Sequence, residues 1–374
     1  MQTQTLDLVA AAPGVRHSLR VLRFGTAGSG PKACIQAALH ADEVPGMLVI
    51  EQLRLRLMAL EAAGTLRGEV LLLPWANPLG LAQQILGQHQ GRFDLRDGLN
   101  FNRHYADLAQ AAGDALEGRL GADPARNQAL ARQALKEAAA ALTALHPTQD
   151  LKNRLLQLAI DSDVVLDLHC DAQAVMHVYG LTPQADPAAE LGALLGAQAV
   201  LLATESGDQP FDEACTRPWL LLQQRFAAHP LPLGCFGVTV ELRGECDTGH
   251  GLAAQDADAI VVFLRRRGFF ADMPETLPPL PAPLCRPTPL AGAETITAPQ
   301  AGVIVFHREP GDRVAPGDLI ADVFDPDSGR TVPLRCLSGG VLFARCASRW
   351  AAPGQRLARI AGEVPVNSGK LLGP

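Results

Sequence analysis

Short, almost wholly apolar runs recur along this chain, several of them cut off by glycine, proline or asparagine. They are 33–39 (ACIQAAL), 68–78 (GEVLLLPWANP), 163–168 (DVVLDL), 174–179 (AVMHVY), 197–203 (AQAVLLA) and 235–242 (CFGVTVEL). They do not alternate polar with apolar, so each demands cover on both faces. Helical patterns separate several of them: MLVIEQLRLRLMALEAAG, which stops at Gly64, and the stretches 188–196, 213–228 and 253–267. This alternation predicts an α/β domain with a largely parallel sheet and helices on both faces. The ligand site of such a sheet belongs in loops outside the strand ends.

The 374 residues hold more than this one domain, since domains average about 150 residues. Residues 106–160 are Ala-, Leu-, Gln- and Lys-rich and predict a helical insertion, read as a solvated amphipathic pair packed on the core. The proline-rich stretch 273–290 predicts a stiff connector after a first domain of residues 1–272. Beyond it, residues 291–374 carry short strands and Gly/Pro turns, the pattern of a small all-β domain. A net charge of −7 and 5% aromatic residues exclude a basic nucleic-acid face and a base-stacking platform. The expected partner is a small molecule, with neither nucleic acid nor membrane. Eight cysteines with no CxxC pair, and no signal-like or membrane-length apolar segment, place the expected setting in the cytoplasm.

Four local patterns carry chemistry. His40 and Glu43 stand three apart in a tight loop after the first apolar run; an imidazole and a carboxylate so placed converge on one cation, or cap a helix start. Asp167 and His169 end another run, where the acid can fix the imidazole's tautomer; a satisfied core histidine reads the same way. Glu241 follows the β-branched segment Val238-Thr239-Val240, a position where a carboxylate needs a partner or serves as a general base. Asp97-Gly98-Leu99-Asn100-Phe101-Asn102-Arg103 is a polar turn ending in an arginine whose fork grips a carboxylate or an oxyanion, or forms a surface ion pair.

In this order, together with the Asn77-Pro78 turn, the patterns resemble the succinylglutamate desuccinylase/aspartoacylase family of zinc carboxypeptidase-like hydrolases, over roughly residues 30–245. The resemblance implies a mixed, largely parallel sheet and one Zn²⁺ per chain held by His40, Glu43 and His169. It implies Glu241 as the general base toward water at the metal, and Asn102 and Arg103 as holders of the substrate carboxylate. Arg92, eleven positions before Arg103, would polarise the scissile carbonyl. The implied function is zinc-dependent hydrolysis of the amide bond of an N-acyl amino acid or similar small carboxylate. The alternatives are a carboxypeptidase for short peptides and a non-catalytic small-molecule binder.

Two departures stand out. Cys170 follows His169 where many relatives carry a hydroxyl residue, and is read as inert packing; FNRHY lacks the proline and glycine that often follow the arginine. His89, His104 and His177 fit no ligand spacing. The C-terminal strands, with the turns Pro310-Gly311-Asp312 and Pro316-Gly317-Asp318, resemble a biotinyl/lipoyl half-barrel. A carrier needs a lysine at the hairpin tip, and the corresponding DPDSGR has none, so this module is expected to shade the site or serve homo-oligomer contacts.

Overall fold

Strands form where the apolar runs stand, and the helices between them satisfy both faces. In the computed structural model, which describes residues 1–271, 277 and 279–373, the chain begins with β1 (Gln2–Asp7), β2 (Ser18–Gly25) and β3 (Lys32–Ala37), then α1 (Pro45–Ala62), β4 (Glu69–Leu73) and α2 (Pro78–Leu81). A small hairpin, β5 (Gln84–Ile85) and β6 (Gln88–His89), leads to α3 (Ala109–Leu116), α4 (Pro124–Ala140) and α5 (Pro147–Ala159). There follow β7 (Val164–Asp171), β8 (Gln173–Ala174), β9 (Met176–Leu181), α6 (Ala185–Leu195), β10 (Ala199–Ala203), α7 (Phe211–Arg225), β11 (Phe236–Gly244) and α8 (His250–Arg266).

The large sheet runs β1-β2-β4-β3-β7-β11-β9-β10 and ends on β12 (Pro287–Pro289). Its β4/β3, β3/β7, β7/β11, β9/β10 and β10/β12 pairings are parallel, and β1/β2, β2/β4 and β9/β11 antiparallel. One core lies under α1, α6 and α8 and includes Val49, Leu53, Leu57, Leu191, Ile260 and Phe263. The other lies under α3, α4, α5 and α7 and includes Leu71, Leu116, Leu135, Leu155, Val165 and Trp219.

Several sequence expectations change here. The N-terminal strands were not legible, because Arg20 and Arg23 interrupt the apolar run of β2, as suits a strand near a sheet edge. The 106–160 insertion is three helices rather than a solvated pair, and α5 buries Leu151, Leu155, Leu156 and Ala159. Strands β7 and β11 run past His169 and Glu241, so both side chains sit within strands rather than after them. Backbone pairing continues there because the ladder needs no apolar side chains, and the polar ones find a cavity above.

The proline-rich stretch is only partly a connector. Residues 272–276 and 278 lie outside the described residues, while Pro287–Pro289 adds an outermost strand beside β10, where a missing N–H is tolerated. The C-terminal strands are β13 (Ala293–Thr297), β14 (Gly302–Phe306), β15 (Arg313–Val314), β16 (Leu319–Phe324), β17 (Thr331–Arg335), β18 (Gly340–Arg345), β19 (Trp350–Ala351) and β20 (Arg356–Ala361). They make two antiparallel sheets, β13-β20-β18-β15 and β17-β16-β14-β19. Strand β8 pairs with β18, and Phe343 and Ala344 share a core with Val175, Tyr179 and Leu201, which joins this module to the main sheet.

Candidate active site

The turn after β3 delivers the first two polar groups. Ala38 takes a left-handed φ of 57°, uncommon for a residue with a side chain, and turns the chain so that His40 and Glu43 face the strand ends. Two neighbours fix this loop from outside. Asn77 donates to the Leu39 carbonyl at 2.9 Å and accepts from the Gly80 N–H at 2.8 Å, which gives the Asn-Pro turn its structural role. Gly91 accepts from the Ala41 N–H at 3.0 Å and lies so close to the Ala41 and Asp42 backbones that a Cβ there would collide with both.

His40 Nδ1 lies 2.9 Å from one Glu43 oxygen and His169 Nδ1 2.6 Å from the other. The far nitrogens are tied back. Asn100 Oδ1 accepts from the Asn102 N–H at 2.7 Å, which fixes it as an acceptor, so His40 Nε2 at 2.9 Å must carry a hydrogen. Asp167 Oδ2 accepts from His169 Nε2 at 2.9 Å, and Asp167 Oδ1 from Gln36 Nε2 at 2.9 Å. Both imidazoles thereby turn a lone pair at Nδ1 toward Glu43, the outer hydrogen bonding typical of metal-binding histidines. The donor atoms of His40, Glu43 and His169 lie within 4.8 Å of one another, and two His with one Glu suit a zinc ion that keeps an open position.

The electrostatics agree with that fit. Burial lowers the His40 pKa and Arg92 adds to it, favouring the neutral ring. Burial alone would raise Glu43, but His40 and His169 outweigh it and hold the carboxylate well below its usual range. Burial opposes a charged His169, yet Asp167 and Glu43 raise its pKa well above the ordinary value. Asp167 and Glu43 thus favour positive charge beside His169, as a site for a cation requires.

Glu241 stands directly opposite His169 in the parallel β7/β11 pairing. Its Oε2 is buried without a hydrogen-bond partner, and burial, reinforced by Glu43, pushes its pKa up to about 8. A register shift follows at once, and Arg243 takes a φ of 71°, so the bulge closes the strand behind the carboxylate. Arg92 Nη1 lies 3.2 Å from His40 Nδ1 and 3.3 Å from Glu43.

These groups open into a cavity of about 380 Å³, whose wall also includes Asn102, Arg103, Cys170, Asp212 and Glu213. Asn102 Oδ1 accepts from the Phe211 N–H at 2.8 Å, and its Nδ2 lies 3.4 Å from His169 Nε2. The Arg103 guanidinium donates to the Asn102 carbonyl at 2.7 Å and through Nη2 to the Gly373 carbonyl at 2.7 Å. Lys152, on α5, donates to the carbonyls of Asn100 (3.1 Å) and Arg103 (2.7 Å), so the helical insertion holds the Asp97–Arg103 element in place. Burial keeps the Cys170 thiol protonated, raising its pKa far above the ordinary thiol value.

Residues 29–266 match the succinylglutamate desuccinylase/aspartoacylase catalytic domain. The chain belongs to this family. A family protein from Shewanella amazonensis SB2B superposes with a TM-score of 0.85 at 27% identity, over 96% of this chain and 98% of that one. One from Shewanella frigidimarina NCIMB 400 gives 0.81 at 25% identity, over 96% and 97%. The ectoine utilization protein EutE (DoeB) from Ruegeria pomeroyi, bound to product, shares the fold at 16% identity with a TM-score of 0.64, over 96% and 95%. No curated protein matches the chain in sequence.

In this desuccinylase/aspartoacylase family member the C-terminal module does shade the site: Arg345, Cys346, Arg356 and Arg359 line the cavity with Leu372 and Gly373 of the tail. Among the described residues no helix is long and apolar enough to cross a membrane. The structure brings His40, Glu43, Arg92, His169 and Glu241 together at one cavity, with Asn102 and Arg103 in the same wall. The sequence reading missed Gln36 and Asn100 as orienting groups, and Asp212 and Glu213. The latter begin α7, where acids are commonplace, so no sequence signal set them apart.

Proposed function

We propose that the protein is a zinc-dependent hydrolase of the amide bond of an N-acyl amino acid or similar small carboxylate. The observation that carries this is the pair of imidazoles locked by Asn100 and Asp167 with Nδ1 toward Glu43, with Glu241 in register beside His169. His40, Glu43 and His169 would hold the zinc, which when bound supplies Lewis acidity toward water and the amide carbonyl.

The remaining steps belong to the chain's own groups. Glu241 Oε2 lies buried in the cavity wall without a partner, and burial and Glu43 raise its pKa. The charge of a bound zinc would bring it back toward the ionised form, in which it takes a proton from water and returns it to the leaving amine. Arg92, next to the triad and half exposed, faces the carbonyl oxygen as negative charge develops there. Arg103 meets the substrate carboxylate by exchanging the Gly373 carbonyl it now holds. The reading takes residues 1–272 as the hydrolase domain, 273–290 as a connector whose Pro287–Pro289 end joins the main sheet, and 291–374 as a β-rich domain that narrows the cavity. A wall made of Arg356, Arg359, Leu372 and Gly373 favours a small N-acyl amino acid over a peptide.

The test is the Glu241→Gln variant with a panel of N-acetyl, N-succinyl and longer N-acyl amino acids and short peptides. Wild type should bind about one zinc per chain and hydrolyse at least one N-acyl amino acid. The variant should keep its zinc and lose about 10³-fold or more in kcat, the upper part of the usual range for an acid–base group, because proton removal and return both pass through it. A fully active Glu241→Gln enzyme removes the base role, and a wild type that takes up no zinc removes the metal reading.

A further inference from the structure

One corner of the cavity has no part in the steps above. The loop after β10 and the first turn of α7 bring Ser206, Asp212 and Glu213 to its wall, and all three are more than nine-tenths buried, at 3%, 7% and 8% exposure. Glu213 Oε1 accepts from the Ser206 N–H at 2.6 Å. Its Oε2 and the Ser206 hydroxyl are buried with no hydrogen-bond partner. The Asp212 carboxylate has help from the Glu213 backbone N–H and from no ion-paired cation among the described residues. The nearby cations are committed elsewhere: Arg103 to the Asn102 and Gly373 carbonyls, and Arg217 to Glu205 and Asp107.

Acids in the first turn suit a helix N-terminus. That preference does not account for two of them buried side by side with a hydroxyl, facing a cavity, with oxygens left unpaired; such groups are costly unless something donates to them. The corner offers acceptors to which no cation is hydrogen-bonded among the described residues, so an anionic or apolar ligand group gains nothing beside its two carboxyl groups. A divalent cation needs six or more oxygen ligands or a compact His/Cys/carboxylate set, and among the described residues the only such set is His40, Glu43 and His169. A primary ammonium carries three donors and one charge, which matches Asp212, Glu213 Oε2 and Ser206 Oγ.

We propose that Ser206, Asp212 and Glu213 form an ammonium subsite, so that the substrate carries a primary amine besides the acylated nitrogen. This deepens the deacylase reading and rests on its cavity. The substrate class is then a singly N-acylated diamino acid, and the product a free diamino acid.

The test measures product binding, which requires no turnover. Binding to zinc-loaded wild type is compared by calorimetry for L-α,ω-diamino acids of three to six carbons and their straight-chain isosteres with methyl in place of ammonium. At least one diamino acid should bind tenfold or more tightly than its isostere. Asp212→Asn should bring that ratio close to one, and Ser206→Ala should reduce it at least threefold. Equal or reversed affinities throughout the series overturn the subsite, and so does a preference that survives both substitutions. Hydrolysis of the matching N-acetyl pairs is scored separately. Absence of any turnover counts against the deacylase reading and leaves the binding ratio to judge the subsite.

Discussion

Asp167→Asn separates what the buried acid does for the metal from what it does for the fold. The carboxylate is fully buried and accepts from His169 Nε2 and Gln36 Nε2, each at 2.9 Å. An asparagine in its place keeps one acceptor, which His169 needs, and turns an N–H₂ toward Gln36. In wild type Gln36 Oε1 is buried without a partner, so a flip of the Gln36 amide offers that oxygen to the new donor. The network can thus stay satisfied, and the stability of the metal-free protein should change by no more than about 1 kcal/mol. What is lost is the negative charge that makes the His169 imidazole a better ligand. Loss of such a partner costs about 10- to 100-fold in metal affinity, or about 1.4 to 2.7 kcal/mol.

The assay is competition for zinc with a chromogenic chelator, alongside urea unfolding of the metal-free protein. Gln36→Leu supplies the control, because it already removes the donor of Asp167 Oδ1, so in that background Asp167→Asn exchanges an orphaned acceptor for an orphaned donor. The double variant should therefore be no less stable than the sum of the single changes. Zinc affinity equal to wild type in Asp167→Asn would refute the charge argument, and a loss well above about 1 kcal/mol in the metal-free single variant, the mark of an orphaned buried donor, would refute the flip.

Gly91→Ala should displace the His40–Glu43 loop, because its Cβ meets backbone rather than a movable side chain; a loss of about 1 to 3 kcal/mol in stability with weakened zinc binding is expected, measured by unfolding and metal titration. Arg92→Met should lower kcat by about 10²- to 10³-fold with a smaller change in KM, and steady-state kinetics on the best N-acyl substrate checks it. Lys152 should carry a pH signature, since burial lowers its pKa from 10.5 to about 8. Folding therefore opposes its charged form below about pH 8, and its contribution to stability rises as pH climbs from about 8 to 10.5. Relative to Lys152→Met, wild type should gain on the order of 3 kcal/mol across that window, read from urea unfolding at each pH.

Much of the candidate site was legible because a metal site of this kind calls for particular residue types at short spacings. His40 and Glu43 share one loop, His169 keeps its acid two residues away, and Glu241 ends a run of β-branched residues. The orienting groups were less visible. Asn100 was in view as part of the Asp97–Arg103 element, but that it holds His40 follows only from the loop's return to the strand ends. Gln36 reads in sequence as a stray polar residue in an apolar strand, and its partner Asp167 is 131 positions away.

By itself the sequence determined the alternation of buried strands and helices and the all-β character of the end of the chain, because periodicity is a local property, and its short motifs carried the family resemblance that names the zinc-binding and base candidates. Only the tertiary structure decided which of those donors meet. The parallel pairing of β7 with β11 sets Glu241 beside His169, and Lys152 ties the helical insertion to the arginine loop. It also brought the C-terminal module and the tail over the cavity and left Ser206, Asp212 and Glu213 facing inward. Burial and distance between remote segments are products of packing, and no local pattern encodes them.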